Sequence, residues 1–343
     1  MRTILATAPT RICDCGGWTD TWFARHGSVF HVAIDAGVRV RIDLAPAAGA
    51  APPVTIDAAS FGDRYAYHPG TRPWVRHPLL EAAIDAVGVP PGAAISITVE
   101  SAVPPGASTG TSAAVCVALI GALQAAVGIA AGPEAVAAAA HAVETERLGR
   151  QCGVQDQLAA AYGGINFIDV FDYPKARVHP IAVAPGTHAA LERQLLLVYL
   201  GRTHESSAIH ETVVRDVADV GPGHPAIAGL RRAALDARDA VVAGDLAALG
   251  AAMRANTAAQ RRLHPSLVGS DAARVMAIAE AQGAIGWKVN GAGGEGGSVT
   301  ILAGEDPASR AAAAAAIEAA GQGYRLVPFR ISAVGLQVQV SAP

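Results

Sequence analysis

Residues Pro104–Ala114 read PPGASTGTSAA, and this run of small residues decides how the rest of the chain is read. Upstream, ISITVE (95–100) alternates apolar and polar side chains as a half-buried strand does; downstream, Ala113 to Val127 is an apolar, Ala-rich run of helical character. The stretch therefore joins a strand to a helix. Gly106 and Gly110 permit unusual backbone dihedrals, while Thr109, Thr111 and Ser112 bring hydroxyls to the start of the helix. A helix N-terminus presents unsatisfied N–H groups and roughly half a positive charge. The segment Pro105, Gly106, Ala107, Ser108, Thr109, Gly110, Thr111 and Ser112 is thus suited to cradle a phosphate. A capped Ser/Thr-rich loop without a ligand is the plainer alternative for the stretch taken alone.

Working outward, alternation predicts strands over 3–8 and 28–44, with Arg39 and Arg41 on one solvent-facing side. A Pro/Ala/Gly tract at 46–53 precedes a short strand at 54–57 and a helix at 78–87. Helices are also expected over 113–127, 133–148 (Pro at its first turn, Gly149 at its end) and 154–162, with a strand at 165–170. The composition changes after Pro185, which puts the boundary between two domains there: 1–185 and 186–343. The second domain reads as a strand at 195–199, three or four helices across 206–282, strands at 285–289 and 298–303, a helix at 307–320, and strands near 324–327 and 334–340. Strands and helices interleave unevenly, so α+β suits the chain better than a regular parallel α/β wind.

A chain of 343 residues exceeds the size at which one core usually keeps growing, in keeping with two domains. Ala supplies much of the apolar fraction, and no stretch has the make-up of a membrane span; the N-terminus has too short an apolar core for a secretory signal. The expected location is the cytoplasm. Net charge is −3 with scattered basic residues, so the expected partner is a small molecule rather than nucleic acid or membrane; the oligomeric state has no signature in the sequence. Of the four cysteines, Cys13 and Cys15 form a CxC pair without a second pair at zinc spacing, and all four read as reduced thiols.

Phosphoryl transfer from such a cradle needs a carboxylate for a metal, a base for the acceptor hydroxyl and a cation for the developing charge. ETERLGRQCGVQDQ (144–157) offers Glu144, Glu146 and Asp156 around a turn at Gly149 and Gly153, so the carboxylates can converge across the break. Solvated charges on helix ends are the alternative. APTRICDCGGWTD (8–20) offers Arg11 at a strand end, then Gly16, Gly17, Trp18, Thr19 and Asp20: an indole for apolar contact and a carboxylate to accept from hydroxyls. A plain turn with a packed Trp is the alternative. KVNGAGGEGG (288–297), with Gly293 and Gly294, implies close approach of backbone to backbone or to ligand.

Together these segments resemble the superfamily of galactokinase, homoserine kinase, mevalonate kinase and phosphomevalonate kinase. APTRICDCGGWTD resembles the galactokinase-type motif APGRxNxxGExTD, with Gly17 in place of Glu, and its GGWTD form is similar to that of heptose-phosphate kinases and the kinase part of fucokinases. PPGASTGTSAA resembles PxGxGLGSSxA, departing at Ser108 and Thr109. KVNGAGGEGG resembles KxxGAGGGG, departing at Glu295, which is expected to point outward. ETERLGRQCGVQDQ resembles ExxxxGxxCGxxDQ.

The resemblance implies a two-domain fold: an N-terminal domain like ribosomal protein S5 domain 2, with a left-handed βαβ crossover, and a ferredoxin-like C-terminal domain. It implies a sugar or sugar-phosphate kinase using ATP and Mg2+ at the anomeric hydroxyl. Asp156 would be the catalytic base, Arg11 the cation beside the transferred group, and Glu144 and Ser112 the magnesium ligands. Gly17, Trp18, Thr19, Asp20, Gly293 and Gly294 would line the substrate, as would Asp156. Apart from the resemblance, LGRTHESSAIHE, with Arg202, His204, Ser206 and His210, opens the second domain as a further candidate substrate contact, with a solvent-facing helix cap as the alternative. A non-catalytic sensor of sugar and ATP on the same fold is the second reading. A dinucleotide oxidoreductase, suggested by the superficial GxGxxG look of GAGGEGG, is the third.

Overall fold

The computed structural model describes residues 2–47, 54–202, 213–217 and 220–341. Two sheets organise the chain. The first contains β1 (Arg2–Cys15), β2 (Gly27–Pro46), β3 (Val54–Ala58), β4 (Asp63–Tyr67), β5 (Ala93–Ser101), β6 (Ile165–Asp172) and β7 (Lys175–Pro180). The second contains β8 (Leu195–Tyr199), β9 (Gly286–Val289), β10 (Ser298–Leu302) and β11 (Arg325–Val327). The last strand, β12 (Gln337–Val340), leaves the second sheet's neighbourhood and pairs antiparallel with β1, so the end of the chain crosses back onto the first sheet.

β2 is the spine of the first sheet. Val38, Val40, Ile42 and Leu44 are buried while Arg39 and Arg41 are exposed, as the alternation requires. Its first half pairs with β6 and its second half with β5, and β1 runs antiparallel along its other edge. β3 and β5 pair in parallel, with β4 and helix α1 (Pro78–Val87) in the connection between them. Helix α2 (Thr111–Ala126) is apolar on nearly every face, and the structure gives the reason: it packs against β1 and β2 on one side and against α1, α3 (Pro133–Ala142) and α4 (Gln155–Tyr162) on the other.

The helix expected over 133–148 is not uniform. It is α-helical to Ala142, then widens into a π turn over Val143–Arg147 that ends at Leu148, just before the left-handed Gly149. Glu144 lies in that widened turn. β4, β7 and helix α5 (Pro185–Gln194) have no counterpart among the sequence expectations.

In the second sheet the order β11-β8-β10-β9, all antiparallel, is the ferredoxin-like arrangement expected for this half. Helices α6 (Pro225–Ala243) and α7 (Leu246–Leu263) pack against each other, and between them reach β1, β2 and β9. Ile12, Phe30 and Val32 of the first sheet thereby share one apolar cluster with Leu195, Leu197, Leu249 and Met253. Helices α8 (Ser270–Ala281) and α9 (Pro307–Ala319) cover the other face of the second sheet.

Candidate active site

Three loops meet where the two sheets adjoin: the end of β1, the β5–α2 connection and the β9–β10 connection. The β5–α2 loop alternates left-handed residues, with Gly106 at φ 74, Ser108 at φ 58 and Gly110 at φ 74. Such alternation turns successive N–H groups to one side and forms an anion-binding nest. The start of α2 has no side-chain cap, so its first N–H groups stay available. Ser108, a departure from the family's glycine, adopts the conformation a glycine would. The β9–β10 loop packs on it: a Cβ at Gly291 would lie 2.8 Å from the Ser108 carbonyl oxygen, and one at Gly297 2.6 Å from its hydroxyl. Those two glycines exist so that the loops can touch.

The touching loops enclose a cavity of about 280 Å³ whose lining includes Arg11, Ser112, Glu144 and Asp156. Arg11 is 2% exposed; its Nε and Nη2 both lie 2.8 Å from Asp156 Oδ1, and its Nη1 donates to the Ser108 carbonyl at 2.6 Å. Asp156 opens to the cavity, with 30% of its side-chain surface exposed. Burial, helped by Asp14, raises its pKa above the ordinary value, and Arg11 opposes the rise. A Cβ at Gly110 would stand 3.1 Å from the Asp156 carboxyl carbon, so that glycine lets the anion cradle approach the carboxylate.

Glu144 is 5% exposed and accepts from Gln157 Nε2 at 2.8 Å through one oxygen; the other has no protein partner among the described residues. Burial raises its pKa, against the pull of Gln157 and Arg150. Ser112 is exposed, and it and Glu144 both line the cavity. One carboxylate and one hydroxyl fit Mg2+, which takes few protein ligands and fills its shell with phosphate and water oxygens. No group of three or more His, Cys, Asp or Glu suited to a metal occurs among the described residues.

At the other end of the cavity Asp20 accepts from the backbone N–H of Gln155 at 3.0 Å, and burial pushes its pKa up to about 6. Gly153 makes room for it, since a Cβ there would meet Asp20 Oδ2 at 1.9 Å. Trp18 lines the cavity and donates through Nε1 to the Ala292 carbonyl at 3.2 Å, tying the β1 loop to the β9–β10 loop.

Some expected contacts lie behind the wall instead. The Thr19 hydroxyl donates to the Gly16 carbonyl and accepts from Ser28 N, holding the turn. Gly17 backs onto Asp14 and Gln155. Gly293 and Gly294 pack on the Leu267 carbonyl, and it is Gly291 and Ala292 that face the cavity. Thr109 is fully buried, its carbonyl accepting from Arg11 N at 3.0 Å. Pro105 lines a neighbouring pocket. Glu295 is exposed and accepts from Ser270 N at 2.9 Å at the start of α8. Arg202 is exposed, 3.6 Å from Asp271, away from the cavity; His204, Ser206 and His210 lie outside the described residues. The Gly-rich segment joins two antiparallel strands rather than a strand and a helix, which removes the dinucleotide-binding reading.

Other residues at the site were not singled out by spacing. Asp14 is fully buried, accepting from Lys288 Nζ at 3.2 Å and from Gly291 N at 3.0 Å, and lying 3.9 Å from Arg11 Nη2. Lys288, Asp14, Arg11 and Asp156 thus form a chain of alternating charge across the junction of the two sheets. Only the Lys in KVNGAGGEGG hinted at it. A second, largely apolar pocket of about 280 Å³, lined by Phe61, Leu79, Leu80 and Val103, shares Gly106, Thr111, Ser112 and Arg150 with the first. Its walls come from β3, α1, β5, α2 and adjoining loops, so no single motif announces it.

Residues 78–164 match the family described as GHMP kinases N terminal domain. The chain is 25% identical over 201 residues to D-glycero-alpha-D-manno-heptose 7-phosphate kinase of Campylobacter jejuni, a match spanning 59% of this chain and 59% of that protein. It is 30% identical over 251 residues to mevalonate kinase of Thermococcus sibiricus, spanning 71% of this chain and 69% of that one. The crystal structure of a D-glycero-D-manno-heptose 1-phosphate kinase from Bacteroides thetaiotaomicron superposes with a TM-score of 0.76 over 98% of both chains, at 18% identity, and so shares the fold. No helix among the described residues is long and apolar enough to cross a membrane. With motifs, topology and relatives in agreement, the chain belongs to the GHMP kinase family.

Proposed function

We propose that this protein is an ATP-dependent kinase that phosphorylates a sugar or sugar phosphate at its anomeric hydroxyl, of the heptose 7-phosphate, fucose or galactose type. The observation that carries the reading is the joining of Arg11 and Asp156 at 2.8 Å, beside an open helix N-terminus, in one cavity. The N–H groups around Gly106 to Ser112 hold the phosphates of ATP, and the adjoining apolar pocket offers its base a dry surface. Bound Mg2+, held by Glu144 and Ser112, would neutralise charge on the phosphates. Asp156 takes or orients the proton of the acceptor hydroxyl, its raised pKa bringing it nearer neutral pH. Arg11, held by Asp156 and Ser108, offsets the charge of the group in transit. Trp18 and Asp20 hold the sugar at the far end of the cavity.

The sugar branch is favoured over a carboxylate-bearing substrate by the lining of that end. It carries the Asp20 carboxylate and the Trp18 indole, and Arg11, the buried cation of the cavity among the described residues, is engaged by Asp156 and the Ser108 carbonyl. The test is ATP-dependent turnover on D-galactose, D-mannose, L-fucose and D-glycero-D-manno-heptose 7-phosphate, with mevalonate and homoserine as controls and the product located by NMR. Phosphorylation of a sugar at its anomeric oxygen is expected. Turnover of mevalonate or homoserine alone would overturn the sugar reading, and binding of ATP and sugar without product would favour a sensor.

A further inference from the structure

Gln155 begins α4 and is 7% exposed. Its backbone N–H is used, donating to Asp20. Its side chain is not: among the described residues neither Oε1 nor Nε2 has a hydrogen-bond partner, and Oε1 is buried. A buried amide oxygen left unmatched is uncommon and costly in a folded protein, and this amide belongs to a residue that lines the cavity, where a ligand can engage it. Gly17 gives that amide its room. A Cβ at position 17 would lie 3.1 Å from Gln155 Nε2, and because the φ of Gly17 is outside the left-handed region, space rather than backbone strain is what glycine provides. The departure from Glu in the family's first motif thus leaves room for the amide from a distant segment, and equally for Asp14 Oδ2, which a Cβ would also meet at 3.1 Å.

Resting on the kinase reading of the same cavity, we infer that the Gln155 amide is a specificity-determining group that binds a hydroxyl at the substrate end held by Asp20. The end of the substrate lying there is an uncharged, hydroxyl-bearing one. An ionised Asp20 only accepts, so its ligand atom must be a donor; the amide can donate to, or accept from, another hydroxyl. The Gln155 backbone N–H holds Asp20 at 3.0 Å, so the carboxylate and the side-chain amide stem from one corner of the cavity and meet the same end of the substrate. A phosphate or carboxylate is disfavoured beside the Asp20 carboxylate, and Arg11 is turned to Asp156 and the Ser108 carbonyl.

The test compares kcat/KM of the wild type, Gln155→Ala and Gly17→Ala on whichever sugar of the panel above turns over best, and on its monodeoxy analogues. On the parent sugar Gln155→Ala is expected to lose about tenfold or more. On the one analogue that lacks the bound hydroxyl, variant and wild type should agree within about twofold, and the other analogues should show the full loss. Gly17→Ala, which crowds the amide without removing it, should give the same pattern more weakly and serves if Gln155→Ala does not fold. An equal loss on every analogue would make Gln155 merely structural and overturn the inference, as would no loss. A wild type that phosphorylates none of the sugars would instead overturn the sugar reading on which it rests.

Discussion

Replacing Asp14 by Asn should destabilise the protein through a charge that is left behind. Lys288 Nζ and the Asp14 carboxylate are buried, and the ammonium's other hydrogen-bond acceptor is the Val289 carbonyl. Without the carboxylate the ammonium is a buried cation with no counter-ion, whereas Arg11 keeps Asp156. Removing one partner of a buried pair costs about 3–5 kcal/mol. Lys288→Met should cost less, about 3 kcal/mol, because Asp14 would keep Gly291 N–H and Arg11 nearby. In the double variant no buried charge is orphaned, so its loss should fall short of the two single losses combined by about 2 kcal/mol or more. The assay is urea-induced unfolding followed by tryptophan fluorescence, with Trp287 directly beside Lys288 in β9. Single losses that add to within about 0.5 kcal/mol would refute the coupling, as would an Asp14→Asn variant as stable as the wild type.

Asp156→Asn should abolish turnover while leaving ATP affinity within a few fold, since a base contributes about a hundredfold or more to transfer and little to nucleotide binding; full activity in steady-state assays would remove it from the mechanism. Gly153→Ala places a Cβ 1.9 Å from Asp20 Oδ2 and should raise the sugar KM about tenfold or more while sparing that for ATP. Asp20, raised from 3.8 to about 6, sets two pH effects. The sugar KM should rise as pH falls below about 6 and the carboxylate is protonated. Stability should move the other way: the folded state binds the proton more tightly, so its contribution is complete below 3.8 and is lost as pH rises through about 6. Relative to Asp20→Asn, the wild type should gain up to about 3 kcal/mol between pH 7 and pH 4, measured by chemical denaturation.

Much of this site was legible because its chemistry depends on runs of adjacent residues. A phosphate cradle needs consecutive N–H groups and permissive dihedrals, so PPGASTGTSAA reports itself locally, as do the ends of α1 and β8 and the apolar α2. Pairings between distant segments leave no such trace. Asp14 looks like any strand-end carboxylate until Lys288 is placed on it, and Gln155 reads as a helix-start polar residue until Gly17 opens a space beside it. Thr19, Gly293 and Gly294 share motifs with cavity residues but face the scaffold, because in a tight turn neighbouring residues point in different directions.

Sequence alone determined the two-domain α+β character, the glycine-rich loop between β5 and α2, and the choice of Arg11 and Asp156 as the residues proposed to react, since each depends on local periodicity, on glycine placement or on a motif contiguous in the chain. Tertiary structure alone decided which faces of those motifs meet the cavity, the charge chain from Lys288 to Asp156, the apolar pocket beside the cradle and the return of β12 to the first sheet. The physical reason is that burial, close approach and charge pairing are properties of residues brought together by packing, and packing joins positions as far apart as 14 and 288 that no local pattern relates.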